Sequence, residues 1–185
     1  MKPQSYLDFE VVPQDGEPGY AVLAKAAHVL HGAFSSRPGY YAISFPSAKI
    51  GEGFRSTGCV IRVFATSCEE LYDLMKLVGG HITIRDYMRV TLPRDVPEDF
   101  SGKWSAWIRV RVQGQDGPNR LKTISRAHES PFFEVKSSGG SCFAMRFAKI
   151  PGARQVNSCK PNSYGLATRG NRARVGENLF YLPEL

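Results

Sequence analysis

The sequence predicts an α+β fold, in which a first half with the order β-α-β-β-α-β precedes a mainly β second half. Three observations predict it. In the first half, two amphipathic helical stretches alternate with apolar runs of strand length. The Pro-rich, charged stretch 93–99 has the composition of a linker. The charge balance also changes there, because residues 1–97 carry ten basic and ten acidic side chains whereas residues 98–185 carry fourteen and seven, the whole net charge of +7.

The first strand and the first helix open the chain. Residues 6–12 alternate between apolar and polar side chains, which predicts a strand. A helix is predicted from Pro18, whose fixed φ suits the first helical position, to about Ser35. The breaker 37–39 follows it. The apolar stripe of this helix consists of Leu23, Ala27, Leu30 and Phe34.

Three strands and a second helix complete the first half. Strands are predicted at 40–45, 58–65 and 82–92. The helix lies between the second and third of these, where Ser67 and Glu70 form a capping box and Gly79-Gly80 ends the apolar pattern. This order is the ferredoxin-like pattern, which serves many functions, RNA-recognition (RRM-like) modules among them.

The second half is predicted to contain strands at 104–113, 132–136 and 142–150, with a short basic segment at 119–128. In the first of these strands, Arg109, Arg111 and Gln113 share one face, because side chains alternate along a strand. A basic region with Arg and Gln on one face indicates a nucleic-acid partner. A solvated strand face on a merely basic protein is the alternative interpretation.

Composition excludes several classes of protein. No run of about eighteen apolar residues is present and the N-terminus has no apolar signal region, so neither a membrane span nor secretion is expected. The four cysteines are irregularly spaced without a Cys-x-x-Cys pair, which disfavours structural zinc and is typical of thiols in a reducing cytoplasm. We expect no metal and no cofactor.

Three short segments carry candidate chemistry. His31 lies on the first helix about 80° from the apolar stripe, at the edge of the core face, whereas His28 points more to solvent. Both also fit ordinary surface histidines. The serine-rich turn 136–141 suits either a phosphate or ribose contact or a plain hairpin, and Tyr164-Gly165 suits either packing or orientation of another side chain. Neither a Gly-x-Ser-x-Gly elbow nor a Walker A loop is present.

Together, these segments resemble the CRISPR repeat-processing endoribonucleases of type I-F systems. The order and approximate spacing of several short motifs carry the resemblance, which runs nearly end to end. The motifs are Tyr6-Leu7-Asp8, Val29-Leu30-His31, Ile43-Ser44-Phe45-Pro46, Arg111-Val112-Gln113, Val135-Lys136-Ser137, Phe143 and Tyr164-Gly165-Leu166.

The resemblance implies a ferredoxin-like domain at 1–97 that carries the catalytic histidine, and a family-specific RNA-binding domain at 98–185. It implies binding of a CRISPR repeat stem-loop and one metal-independent cut at the 3′ base of the stem. The 2′-hydroxyl upstream of the cut attacks the phosphate and leaves a 2′,3′-cyclic phosphate. The protein, monomeric when alone, is then expected to retain the crRNA and join other subunits of a Cascade-like surveillance complex in a prokaryotic cytoplasm.

The resemblance also assigns roles to residues. His31 is expected to be the catalytic histidine, as the base that activates the 2′-hydroxyl or, alternatively, as an acid. Ser137 is expected to hold that hydroxyl, and Tyr164 to orient the imidazole. Arg111 and Gln113 are expected to read bases at the bottom of the stem, as Arg suits guanine and Gln suits adenine. Phe143 is expected to stack on the terminal base pair. The other residues expected to bind RNA are Arg109, Arg120, Lys122, Arg126, Lys136 and Ser138.

The sequence departs from the family pattern in two places. The basic segment 119–128 is much shorter than the arginine-rich helix that family members place in the RNA major groove, and we hypothesise that Arg169, Arg172 and Arg174 replace some of its phosphate contacts. The serine turn differs by about one residue, so Ser138 is an alternative to Ser137 as the functional serine. Two alternatives to the nuclease remain open, a non-catalytic subunit that binds the stem-loop and an unrelated ferredoxin-like enzyme that acts on a small molecule.

Overall fold

The structure is a computed structural model that describes residues 1–51, 54–111, 127–136, 140–154, 159–168 and 179–185. Within these ranges the chain forms three helices and eleven strands. The first half contains β1 (Ser5–Val11), α1 (Gly19–Ser36), β2 (Ala42–Ser44), β3 (Lys49–Gly51), β4 (Phe54–Ser56), β5 (Val60–Ala65), α2 (Cys68–Val78), α3 (Ile82–Tyr87), β6 (Met88–Val90) and β7 (Arg94–Asp95). The second half contains β8 (Trp104–Val110), β9 (Phe132–Lys136), β10 (Cys142–Gly152) and β11 (Leu182–Pro183).

The first sheet has the predicted ferredoxin-like arrangement. Its strand order is β2-β5-β1-β6, and every pairing along this path is antiparallel. Helices α1 and α2 cover one face, where Leu7, Phe9, Ile61 and Val63 are buried with the α1 stripe. The predicted α+β fold is therefore confirmed.

Local sequence signals explain where the two long helices begin and end. Helix α1 begins at Gly19, one residue later than predicted, and Pro18 is its N-cap instead of its first helical residue. In α2, the Ser67 hydroxyl accepts a hydrogen bond from the backbone N–H of Glu70 at 3.4 Å. The Glu70 carboxylate reaches back and accepts one from the N–H of Thr66 at 2.9 Å, a slight variation on the predicted capping box.

The second sheet includes a hairpin that the sequence did not predict. Its strand order is β11-β8-β10-β9-β4-β3, so β3 and β4 of the first half extend a sheet built mainly by the second half. Strand β4 joins it through a parallel pairing of Ser56 with Phe132 of β9. The strand β11 near the end of the chain is a further addition, and it pairs with β8.

The two sheets share their cores. Trp107, Phe133 and Phe147 of the second sheet are buried in the same cluster as the residues of α1, and the ring of Phe45 lies edge-on to Trp107 at 5.1 Å. A second cluster joins Phe64 of β5 to Ile108 and to the C-terminal apolar residues. Helix α1 thus contacts both sheets, and the division into domains at 97 stays a prediction.

The predicted strand over 82–92 is wrong in its first half. Residues 82–87 form α3, and only Met88–Val90 is a strand. Ile82 and Ile84 alternate as in a strand, but Ile84 is 3% exposed and Ile82 is 58% exposed, as expected for neighbours on opposite sides of a helix. The His81 side chain caps α3 by accepting a hydrogen bond from the N–H of Thr83, and this cap has no equivalent in the strand interpretation.

Part of the predicted linker 93–99 is also ordered structure. Arg94–Asp95 forms β7, which pairs with Ser5 and Tyr6 of β1. The Ser5 hydroxyl donates to the carboxylate of Asp95 at 2.9 Å. Strand β8 ends at Val110, whereas the prediction extended it to 113, and residues 112–113 lie outside the described residues.

Candidate active site

His31 lies near the C-terminal end of α1, partly buried, with one ring nitrogen held by the backbone. Its Nδ1 is 2.7 Å from the carbonyl oxygen of Ser163. Because a carbonyl can only accept, Nδ1 carries the proton and donates it. In the neutral ring, Nε2 is therefore the basic atom. The backbone thus selects the tautomer that leaves Nε2 available to accept a proton.

The ring of Tyr164 stacks on the imidazole of His31. The ring centroids are 3.8 Å apart and the planes differ by 3°. A flat stack of this kind restricts rotation of the His31 side chain about its χ angles, as the hydrogen bond from Nδ1 also does. Two independent contacts, one polar and one aromatic, consequently hold the ring of His31 in one orientation.

The loop that carries Tyr164 is shaped by Asn162. The side-chain oxygen of Asn162 accepts hydrogen bonds from the N–H groups of Tyr164 at 2.8 Å and Leu166 at 3.2 Å. The backbone N–H of Asn162 donates to the carbonyl of Leu166 at 3.0 Å. This turn is held by an asparagine side chain that mimics the backbone, and it sets the position of both Ser163 and Tyr164.

Gly165 is required where this loop passes over the core. Its φ is +73°, and an added Cβ would lie 3.0 Å from Ile43 Cγ2 and 3.1 Å from Phe34 Cε2. Its carbonyl accepts a hydrogen bond from the N–H of Ile43 at 2.8 Å. Glycine after Tyr164 therefore lets the loop anchor on β2.

Arg109 places a positive charge beside the stacked pair. Its guanidinium carbon lies 5.7 Å from the ring centroid of Tyr164 and 5.6 Å from that of Phe143. Burial, together with the charge of Arg111, lowers the pKa of Arg109, and the hydroxyl of Tyr164 acts in the opposite direction. Arg109 still carries its charge at neutral pH, since an arginine titrates far above it. Within the described part of the chain, no carboxylate forms an ion pair with this guanidinium.

The structure brings together His31, Tyr164, Arg109 and Phe143 of the predicted residues. Phe143 lies on β10 with 37% of its surface exposed, and Arg111 is exposed just after the end of β8. Lys136 ends β9, and its side chain is outside the described part of the structure. The remaining predicted residues lie outside the described residues: Gln113, Arg120, Lys122, Arg126, Ser137, Ser138, Arg169, Arg172 and Arg174.

Sequence reasoning missed two contributors to this cluster, the side chain of Asn162 and the carbonyl of Ser163. An Asn two residues before Tyr164, followed by Gly165, is a turn signal that points to the first of them. The contact with the carbonyl of Ser163 could not be predicted, because every residue has a backbone carbonyl whatever its side chain. Among the described residues, no group of three or more His, Cys, Asp or Glu side chains is arranged to hold a metal ion. No helix in the described ranges is long and apolar enough to span a membrane.

Comparison with known families shows which family the chain matches. The family model described as "CRISPR-associated protein (Cas_Csy4)" matches residues 6–129, about two thirds of the chain. No individual curated protein matches the chain. The match covers β1, α1 with His31, and β8 with Arg109.

Proposed function

Because the chain belongs to the Csy4 family of CRISPR-associated proteins, which process repeat RNA, we propose that it cuts the CRISPR repeat itself, as a sequence-specific endoribonuclease. The cut is at the 3′ base of the repeat stem-loop and needs no metal. The observation that carries this proposal is the imidazole of His31, held by Ser163 and Tyr164 with Nε2 left as its basic atom.

The reaction uses a nucleophile that the RNA supplies. Nε2 of His31 accepts the proton of the 2′-hydroxyl upstream of the cut, and the 2′-oxygen forms a bond to the scissile phosphorus. The bond from phosphorus to the 5′-oxygen breaks, and that oxygen takes up a proton. The products are a 2′,3′-cyclic phosphate and a 5′-hydroxyl. Alignment of a nucleophile next to its target supplies much of the rate, so a rigid base is the main requirement.

The charges around His31 favour a phosphate at this place. The guanidinium of Arg109 has no carboxylate partner in the described ranges and lies against the ring that stacks on His31. It is therefore positioned to neutralise the charge that develops on the scissile phosphate. Phe143 also lies near Arg109, 5.6 Å from its guanidinium carbon to the ring centroid, and offers a partly exposed ring for stacking on the last base pair.

Other parts of the proposal rest on the sequence. Ser137, or Ser138 in its place, holds the attacking hydroxyl, and Arg111 and Gln113 read the bottom of the stem. Arg120, Lys122, Arg126 and Lys136 contact the RNA. After cleavage the protein keeps the crRNA and enters a type I-F complex. A role as a non-catalytic subunit that binds the stem-loop is the competing proposal.

Cleavage of the host's repeat RNA in excess EDTA, by wild type and His31→Ala, tests the proposal. We expect wild type to make one cut that leaves a 2′,3′-cyclic phosphate, and His31→Ala to be slower by about 10²–10⁴-fold, the usual contribution of a general base. Tight binding without a cut by both proteins establishes the non-catalytic role instead. Equal cleavage by both proteins would show that His31 is not part of the active site.

A further inference from the structure

A groove with a volume of about 410 Å³ lies between α1, the start of α3 and the β9–β10 pair. Its α1 wall includes Tyr20, Lys25 and His28, and its opposite wall includes His81 and Glu134. The floor is apolar, with Ala24, Val29 and Val135. The proposed cleavage reaction uses none of these side chains.

The groove begins next to the candidate active site. His28 is three residues before His31 on α1, so it lies one helical turn away. Val135 is the cross-strand partner of Phe143 on β10, and Phe143 in turn contacts Arg109. Phe143 thus stands between the cluster around His31 and the groove. From His31, the α1 wall runs roughly 16 Å along the helix axis to Tyr20.

The side chains along the groove suit a nucleobase with a phosphate at its mouth. Tyr20 is 58% exposed and, with the two imidazoles, offers flat surfaces on which any base can stack. The ammonium of Lys25 is exposed and forms only a surface ion pair, at 3.2 Å from the carboxylate of Glu17. Glu134 repels a phosphate, so the base rather than the backbone faces that wall.

On these grounds we infer that the groove binds the unpaired nucleotides on the 3′ side of the cleavage site. The inference rests on the proposed function: the nucleotides just before the cut are paired in the stem, so the unpaired bases next to the scissile phosphate at His31 are those after the cut. A nucleotide stacked there holds the leaving strand in line with the attacking 2′-hydroxyl. Stacking with Tyr20 and His28 makes the contact tolerant of sequence.

The test measures the affinity of uncleavable repeat RNAs, which carry a 2′-deoxy nucleotide upstream of the cut. One series ends at the cut or extends one, two or three nucleotides beyond it, and a second series carries abasic nucleotides at those positions. For wild type, we expect bases beyond the cut to strengthen binding about 5- to 100-fold over the abasic series, the range of base–aromatic stacking. Tyr20→Ala and His28→Ala should lose most of this gain, measured against each variant's own affinity for the shortest RNA.

Tyr72→Ala is the matched control, because Tyr72 is an exposed tyrosine on α2 that does not line the groove. It should keep the full gain. If abasic and ordinary nucleotides strengthen binding equally, or if Tyr20→Ala keeps the gain, the groove does not bind bases and the inference is wrong. Failure of the proposed function has a different signature, because wild type then leaves the ordinary, all-ribose repeat RNA uncut or does not bind the shortest stem-loop, and both proposals are overturned.

Discussion

Among the described residues, Arg62 and Arg109 both lie over tyrosine rings, and they differ in what surrounds them. Arg62 lies 4.6 Å from the ring centroid of Tyr6 and donates two hydrogen bonds to the carboxylate of Asp8, at 2.7 and 2.8 Å. A third bond, at 2.6 Å, reaches the carbonyl of Leu185. Arg109 lies over Tyr164, and no carboxylate within the described residues pairs with it.

The two arginines therefore differ in whether their charge is paired with a carboxylate within the described residues. Arg62 is buried with its charge paired to Asp8, so it ties β1, β5 and Leu185 together. Arg109 is partly exposed and lies over the ring that stacks on His31, with no carboxylate partner among the described residues. We therefore propose that Arg109, which has no carboxylate partner within the described residues, is the one of the two that contacts a phosphate.

The largest effect is expected from Asp8→Ala. It leaves the Arg62 charge buried without its partner, and breaking such a pair costs about 3–5 kcal/mol, a fall in Tm of roughly 6–20 °C for a chain of this size. Thermal unfolding followed by circular dichroism measures it. A Tm within two or three degrees of wild type would show that Arg62 is not structurally different from Arg109.

Arg109→Gln should give the opposite result. Loss of the charge beside the phosphate slows single-turnover cleavage by about 10²–10³-fold at saturating protein, while the Tm stays close to that of wild type. Arg109→Lys keeps the charge and should recover part of the rate. Unchanged cleavage together with a lowered Tm would show that Arg109, like Arg62, supports the fold and does not contribute to the reaction.

Gly165→Ala tests whether the cleavage rate depends on the loop that carries Tyr164. The positive φ and the contact with Ile43 strain the alanine, by about 1–3 kcal/mol, and the relief of that strain displaces Tyr164 from His31. We expect cleavage to slow by roughly 10- to 100-fold.

Gly39→Ala is the matched control for this substitution. Gly39 has a φ of +84°, but an added Cβ there meets nothing within 4 Å. It should lower the Tm and leave the cleavage rate as it is. Equal slowing by both variants would mean that general destabilisation, not the position of Tyr164, sets the rate.

The smallest effect is expected in thiol labelling, which compares the reactivity of a buried cysteine with that of exposed ones and needs no substitution. Cys159 is buried in the same cluster as Phe64, and burial raises the pKa of its thiol to about 11. Its thiolate is therefore scarce at pH 8 and becomes common only as the pH approaches 11. We expect alkylation at pH 8 to modify the exposed Cys142 and Cys59 and to spare Cys159, as measured by mass spectrometry of peptides.

Repeat RNA sharpens this measurement. Cys142 lines the groove next to the candidate active site, whereas Cys59 lies on the exposed turn before β5. Bound RNA should protect Cys142 and leave Cys59 reactive. Equal protection of both would indicate that RNA covers a different surface.

The site was only partly predictable from the sequence. His31 stands out because it lies at the edge of an amphipathic stripe, and Tyr164 because a glycine follows it in a turn. Their stacking does not follow from either signal, since 132 residues separate His31 from Ser163. The pairing of Arg62 with Asp8 was equally hidden, because it depends on the register of β1 against β5.

The elements with local signals could be predicted from the sequence alone. The bounds of α1 and α2 follow from helical periodicity and from Ser67 and Glu70, and β9 and β10 follow from apolar runs between turns. Contacts between distant parts of the chain decide that β3 and β4 join the second sheet and that His31 meets Tyr164. The physical reason is that caps and periodicity act within a few residues, whereas sheet pairing and ring stacking gain their energy from partners that the chain brings together only when it is folded.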